Sequence, residues 1–154
     1  TRENNTNMIY KYNIFEKTSE KIFEANYFTP VIVEDENIIY FLKYNTSDNF
    51  DPGSDIVRYD LINKKFEKLS FPSIKKLWIF DDYTVSPNGK IVAFQNCHQE
   101  DSALYVINLE NSKIIDRVPF SYGQLTNYYW KPDSSYFVFT PDSKVFYKYT
   151  IPKY

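Results

Sequence analysis

The chain has 154 residues, enough for one domain with its own core, and 18 basic against 20 acidic residues give a formal net charge of −2. This balance lacks the basic stripe that nucleic-acid binding requires, and no apolar run approaches the roughly 20 residues of a membrane-spanning helix. Cys97 and His98 are the only residues of their kinds, which excludes an intrachain disulfide, a cysteine-based metal framework and a two-histidine metal site.

An aromatic share of 19%, mainly 15 Tyr and 13 Phe, favours β-structure. Four segments alternate with a period of two residues, as strands with two different faces do. In chain order they are IYKYNI (9–14), IVRYDL (56–61), LYVINL (104–109) and FYKYTI (146–151). Their starts lie 47, 48 and 42 residues apart (9 to 56, 56 to 104, 104 to 146), and a polar turn and another short strand follow the first three.

A second series of strands precedes these segments and ends each time in Phe: IIYF (38–41), IVAF (91–94) and YFVF (136–139). Pro87 and Pro132 each lie seven residues before that Phe, within VSPNGK and WKPDSS. Proline presets the first position of a turn, and Asn, Asp or Gly tolerates the next positions. Each unit therefore has four strands, A to D, in about 45 residues, which is typical of a β-propeller blade.

The segments SPNGKIVAF and LYVINLENSKI resemble the repeats of TolB-like, WD-repeat-related β-propellers. Residues 83–118 match best, 128–151 moderately and 27–69 weakly. The resemblance implies an all-β fold of consecutive four-stranded antiparallel blades. We predict a single propeller-type domain over residues 1–154, with strands C and D of one blade at 9–24, blades at 27–69 and 80–118, and a partial blade at 126–151.

These elements amount to 13 strands, about three blades, whereas propeller rings usually hold four to eight. The chain is therefore expected to be a fragment of a longer propeller, or to complete a ring with a second copy. A third possibility is that the N-terminal strands add to the last blade. One alternative to the strand assignment is an amphipathic helix over residues 14–28.

The loops between strands B and C should share one end of the blades with the D–A connections. Acidic side chains would form a rim at that end, which either attracts a cationic partner or is simply solvated. Its candidate contact residues are Asp48, Asp51, Asp55, His98, Glu100 and Asp101, with Asp142 nearby. Adjacent strand residues point to opposite faces, so Cys97 and His98 are poor candidates for a nucleophilic pair.

Aromatic residues cluster near the innermost strands. We expect Trp78 and Trp130 to pack between blades. The segment 121–130 is the first choice for a partner-contacting loop, with Tyr128 and Tyr129 as contact residues.

The pattern favours a non-catalytic protein-binding or assembly module that needs no cofactor. Its partner would be another protein or protein segment, with a homodimer as one form. The resemblance also implies two alternatives: a piece of the propeller domain of a prolyl-oligopeptidase-like hydrolase, or a propeller that binds a sugar or another small ligand. The compartment is unknown, although the resemblance to periplasmic assembly proteins favours an extracytoplasmic one.

Overall fold

The computed structural model describes residues 7–25, 28–33, 37–45, 53–74, 77–79, 83–98, 101–119, 125–140 and 144–153. Within these residues the chain forms thirteen strands and no helix. The strands are β1 (Asn7–Asn13), β2 (Thr18–Ala25), β3 (Phe28–Val33), β4 (Ile38–Asn45), β5 (Gly53–Asp60), β6 (Lys65–Lys68), β7 (Tyr83–Val85), β8 (Ile91–Asn96), β9 (Ala103–Asn108), β10 (Ile114–Pro119), β11 (Thr126–Trp130), β12 (Tyr136–Thr140) and β13 (Tyr147–Thr150). Nothing in the described ranges is a helix that could cross a membrane.

Neighbouring strands pair antiparallel in chain order to form four sheets. The first sheet is β1-β2, the second β3-β4-β5-β6, the third β7-β8-β9-β10 and the fourth β11-β12-β13. The predicted fold class of consecutive antiparallel propeller blades is therefore confirmed. The treatment of residues 1–154 as one domain stays a prediction.

The helical alternative for residues 14–28 is wrong where the structure describes them. Ile14 and Phe15 suggested an apolar helix face, but both lie in the turn between β1 and β2, and Phe15 is 90% exposed. The Asn13 side chain accepts hydrogen bonds from the backbone N–H groups of Phe15 and Glu16 at 3.0 and 3.2 Å. This local bonding turns the chain back on itself, so that β2 pairs with β1.

The same turn recurs after strand C of the next two sheets. Asp60 accepts from the N–H groups of residues 62 and 63, and Asn108 from those of residues 110 and 111. In each turn the fourth residue after the Asn or Asp has a positive φ: Lys17 (53°), Lys64 (54°) and Ser112 (57°). Asn13, Asp60 and Asn108 lie 47 and 48 residues apart (13 to 60, 60 to 108), so β1 and β2 correspond in the repeat to strands C and D of the later sheets.

The proline turns join strands A and B. In the third sheet Gly89 has a φ of 70°, which glycine adopts without steric cost, and its N–H donates to the Ser86 carbonyl at 2.8 Å. In the fourth sheet the Asp133 carboxylate accepts from the Lys131 ammonium at 2.5 Å and from the Ser135 N–H at 3.0 Å. The Lys131 hydrogen bond, followed by those from Ser135, lowers the pKa of Asp133 to about 2.

Apolar residues between successive sheets form three clusters. The largest lies between the second and third sheets, the next between the third and fourth, and the smallest between the first and second. Strand β8 is buried along its whole length because the third sheet is covered on both faces. The sheets thus stack face to face in chain order, as blades do.

Candidate functional site

The predicted rim is only partly described. Asp48, Asp51, Glu100 and Asp142 lie outside the described residues, whereas Asp55, His98, Asp101, Tyr128 and Tyr129 lie within them. Asp55 is in strand β5, and His98 and Asp101 lie in the loop between β8 and β9. The choice of these residues as partner contacts remains a prediction.

Asp101 is the centre of a polar network at the base of the β8–β9 loop. Its carboxylate accepts from the Tyr105 hydroxyl at 2.7 Å and from the Arg117 guanidinium, through Nη2 at 2.9 Å and Nε at 3.1 Å. The Asn96 amide nitrogen donates to the Asp101 carbonyl at 3.2 Å, and the Asp101 N–H donates to the His98 carbonyl at 2.9 Å. Asp101, through its side chain and its backbone, thereby links strands β8, β9 and β10.

The network also sets the ionisation of Asp101. Partial burial acts to raise the pKa of the carboxyl, but the hydrogen bonds from Tyr105 and Arg117 outweigh it and leave the pKa below the ordinary value of 3.8. Burial and the hydrogen bond to Asp101 raise the pKa of the Tyr105 hydroxyl. Asp101 is therefore a carboxylate near neutral pH, with a cation in contact.

Asp55 has the same relation to its own sheet. Its carboxylate lies 2.8 Å from the Lys68 ammonium, so an acidic residue, here in strand C and not in the loop before it, again pairs with a base on strand D. Because both described acidic residues of the predicted rim contact a cation, their negative charge is largely offset. These ion pairs hold in place the strand ends from which the loops project.

The segment Leu77 to Ile79 connects the second and third sheets at this end of the molecule. The Ser54 hydroxyl donates to the Ile79 carbonyl at 2.9 Å, and the Ser54 N–H donates to the Leu77 carbonyl at 2.9 Å. On the other side, the Trp78 N–H donates to the Asn96 side-chain oxygen at 2.8 Å, and the Cys97 N–H donates to the Trp78 carbonyl at 2.8 Å. The segment is thus held by both sheets.

The two predicted tyrosines have opposite environments. Tyr128 is half-buried and packs against Phe137 and Phe139, with ring centroids 6.1 and 6.2 Å away. Tyr129, the next residue along β11, is 59% exposed. Trp130 returns to the buried side, where its indole N–H donates to the Thr84 hydroxyl of the third sheet at 2.9 Å. Of the three, Tyr129 is the accessible one, and Trp130 packs between blades as expected.

A cleft of about 690 Å³ lies between the first and second sheets, near the turn at Leu61 to Lys64. Its lining combines apolar residues with charged ones: Ile9, Ile22, Val33, Ile39, Tyr59, Leu61 and Ile62 with Glu20, Lys21 and Lys64, beside Tyr10, Tyr12 and Asn37. No sequence pattern predicts this cleft, because it depends on how a two-stranded sheet packs on a four-stranded one. Within the described ranges, no three His, Cys, Asp or Glu side chains come together in a way that could hold a metal ion.

No family model matches the chain, and no curated protein matches it. Solved structures match it across nearly its whole length. TolB from Acinetobacter baumannii has a TM-score of 0.68 and 16% identity, covering 95% of this chain and 35% of its own. An oligogalacturonate lyase in complex with manganese has a TM-score of 0.65 and 16% identity, covering 94% and 41%. The β-propeller domain of the Trilobed protease from Pyrococcus furiosus, described as having an open velcro topology, has a TM-score of 0.61 and 16% identity, covering 99% and 45%.

These similarities confirm TolB-like propeller repeats at the level of the fold. The chain spans 35 to 45% of the length of these three structures, so it corresponds to part of a propeller chain. A shared fold at this identity does not transfer an activity.

Proposed function

We propose that the chain is a non-catalytic protein-binding and assembly module made of propeller blades. The observation that carries the proposal is the exposure of large apolar side chains on both end sheets of the stack. On β1, Met8, Tyr10 and Tyr12 are 51, 53 and 58% exposed. At the other end, Tyr129 of β11 and Phe146, directly before β13, are 59 and 60% exposed. Clustered exposed apolar groups of this kind typically mark protein interaction sites.

The loop end of the sheets supports the same function. The ion pairs of Asp55 and Asp101 hold the bases of the loops on a rigid scaffold, which is how many folds present binding residues. Partner contacts would come from the predicted residues Asp48, Asp51 and Glu100, together with the accessible Tyr129 and the half-buried His98.

The test is the absolute mass in solution, measured by light scattering after size exclusion at several concentrations. We expect a species heavier than the 18.4 kDa chain whose share grows with concentration. The variants Tyr12→Asp and Phe146→Asp should return it to monomer, since each places a charge in an end sheet or directly beside it. Phe15→Asp, in an exposed turn, is the matched control and should leave the mass unchanged. A monomer at every concentration would contradict assembly through the end sheets.

A second candidate function is to form part of the propeller of a hydrolase, which the likeness to the Trilobed protease propeller favours. Hydrolysis of fluorogenic peptides by the purified chain would support it, provided that the activity disappears when the chain is unfolded by heat. Binding of a sugar is favoured by the likeness to the oligogalacturonate lyase, and the absence of a thermal shift with a panel of sugars would contradict it.

A further inference from the structure

Asn88 is followed by Gly89 in the turn between strands A and B of the third sheet, and no other asparagine of the chain precedes a glycine. The backbone nitrogen of the residue after an asparagine can attack the side-chain amide carbon and close a five-membered succinimide ring. Glycine has no side chain to crowd that approach. Asn88-Gly89 is therefore the place in this sequence where spontaneous loss of a side-chain amide meets the least steric resistance.

The folded turn fixes the side chain of Asn88, which would supply the carbon under attack. Its Oδ1 atom accepts a hydrogen bond from the Ser86 hydroxyl at 2.7 Å and another from the Lys90 N–H at 3.1 Å. The Ser86 hydroxyl oxygen in turn accepts from the Ile91 N–H at 2.9 Å. The Asn88 side chain thus reaches water but cannot rotate without breaking these bonds.

The folded turn also occupies the attacking nitrogen. The Gly89 N–H donates to the Ser86 carbonyl at 2.8 Å, and Gly89 is buried. The nitrogen must give up this proton before it can bond to carbon, and an N–H that is hydrogen-bonded and shielded from water loses its proton only when the structure opens locally. Attack on Asn88 therefore requires that the turn open first.

The fourth sheet holds the same turn from the other side. The Asn88 N–H donates to the Ser134 hydroxyl oxygen at 3.2 Å, and Ser134 is buried in the matching turn of the fourth sheet. In that turn Asp133 stands where the third sheet has Asn88, and it accepts from the Ser135 N–H as Asn88 accepts from the Lys90 N–H. An aspartate at position 88 would therefore fit, whereas an isoaspartate, whose backbone is one methylene longer, would not.

We propose that Asn88 is a site of spontaneous deamidation whose rate is set by the opening of this turn. The Gly89 nitrogen loses its proton and bonds to Cγ of Asn88, the bond from Cγ to the side-chain nitrogen breaks, and that nitrogen leaves with the proton as ammonia. One water molecule then opens the succinimide at either carbonyl and gives aspartate or isoaspartate, each with a new carboxylate. The inference goes beyond the proposed binding function and does not depend on it.

The test incubates the purified chain at mildly alkaline pH, folded in buffer and unfolded in guanidinium chloride. Peptide mapping by mass spectrometry follows residue 88, where deamidation adds about 1 Da. We expect the unfolded chain to convert at least about tenfold faster than the folded one. Ser86→Ala and Ser134→Ala each remove a bond that holds the turn and should speed conversion of the folded chain about three- to tenfold. Ser135→Ala is the matched control, since its hydroxyl bonds Asp133, and should change nothing.

Unfolded, the wild type and the three serine variants should convert at one rate, because the turn no longer exists. Retention of the amide at position 88 in the unfolded chain would overturn the site itself. Equal rates in the folded and unfolded wild type, or folded Ser86→Ala and Ser134→Ala chains that convert no faster than the wild type, would overturn control by the turn.

Circular dichroism and thermal unfolding separate a locally opened turn from a chain that has unfolded, and Ser134→Ala decides the matter if Ser86→Ala does not fold. Asn88→Asp reproduces the aspartate product. It should unfold within about 3 °C of the wild type, because Asp133 already occupies the matching position. A much larger loss would contradict the statement that aspartate fits this turn.

Discussion

Replacing Asp101 with Ala tests whether this carboxylate holds the β8–β9 loop to the third sheet. The change removes the acceptor for the Tyr105 hydroxyl and for two donors of Arg117, at distances of 2.7 to 3.1 Å. Hydrogen bonds to a charged group each contribute about 1.5–3 kcal/mol when buried. Because the side chains of Asp101 and Arg117 are 28 and 43% exposed, solvent screening reduces this contribution. We expect a loss of about 1–2 kcal/mol in the free energy of unfolding.

The measurement is urea and thermal unfolding of the wild type, Asp101→Ala, Arg117→Ala and the double variant. For a chain of this size, the expected loss lowers Tm by about 2–8 °C. The double variant should lose less than the sum of the two single variants, by about 0.5 kcal/mol or more, because the two residues are in contact. Glu67→Ala removes a more exposed partner, from the Arg58 pair, and should change stability by less than about 1 kcal/mol. This role of Asp101 would be refuted if the stability losses of the two single variants were additive. It would also be refuted if Asp101→Ala lost no more stability than Glu67→Ala.

The same pair makes a prediction about pH. The pKa of Asp101 is lower in the folded chain than the ordinary value of 3.8, so the folded state binds a proton there less readily than the unfolded state. The stability from the charged carboxylate is therefore fully present above about pH 5 and is lost as the pH falls below 3.8 through the folded pKa. The stability difference between the wild type and Asp101→Asn should be constant from about pH 5 to 7 and should shrink below about pH 4. A difference that grew on acidification would contradict the assigned sign.

Three further substitutions test the packing and turns. Phe137→Ala removes a fully buried ring between the third and fourth sheets and should lower the free energy of unfolding by about 3–5 kcal/mol, measured as a lower urea midpoint. A loss below about 1 kcal/mol would mean that these sheets do not pack as described. Gly89→Ala places a Cβ at a φ of 70° and should cost about 1 kcal/mol, whereas Asn88→Ala serves as the control for the loss of side-chain bonds in that turn. Ser54→Ala removes the hydroxyl that bonds Ile79 and should speed hydrogen exchange of the Ile79 amide well before global unfolding, while exchange in β8 stays slow.

Much of the fold followed from the sequence because blades are built from local signals. The alternation in IYKYNI, IVRYDL, LYVINL and FYKYTI marked the C strands, and Pro87 and Pro132 marked the turns before strand B. A hairpin brings together residues that are close in sequence, so its pairing depends on strand and turn chemistry that a short window contains. The helical alternative for residues 14–28 failed for the same reason: the Asn13 turn overrides a weak apolar periodicity.

The tertiary structure decided which of the predicted contact residues are accessible. The sequence predicts that Asp55 and Asp101 belong to an acidic rim. In the structure each carboxylate contacts a cation. Lys68 lies 13 residues after Asp55 (55 to 68), and Arg117 lies 16 residues after Asp101 (101 to 117). Tyr128 and Tyr129 are adjacent tyrosines that the sequence does not distinguish. In the structure Tyr128 lies on the buried face of the fourth sheet, and Tyr129 lies on the exposed face.

The stacking of the four sheets shows the same division between sequence and structure. The sequence by itself contained the repeat, the turn residues and the count of 13 strands. Which side chains are buried could be read only after the sheets were stacked, because burial in a blade depends on the strand beside it and on the blades in front and behind. Local alternation determines that a strand forms and which residues share a face, whereas the surroundings of that face depend on contacts between residues far apart in the chain.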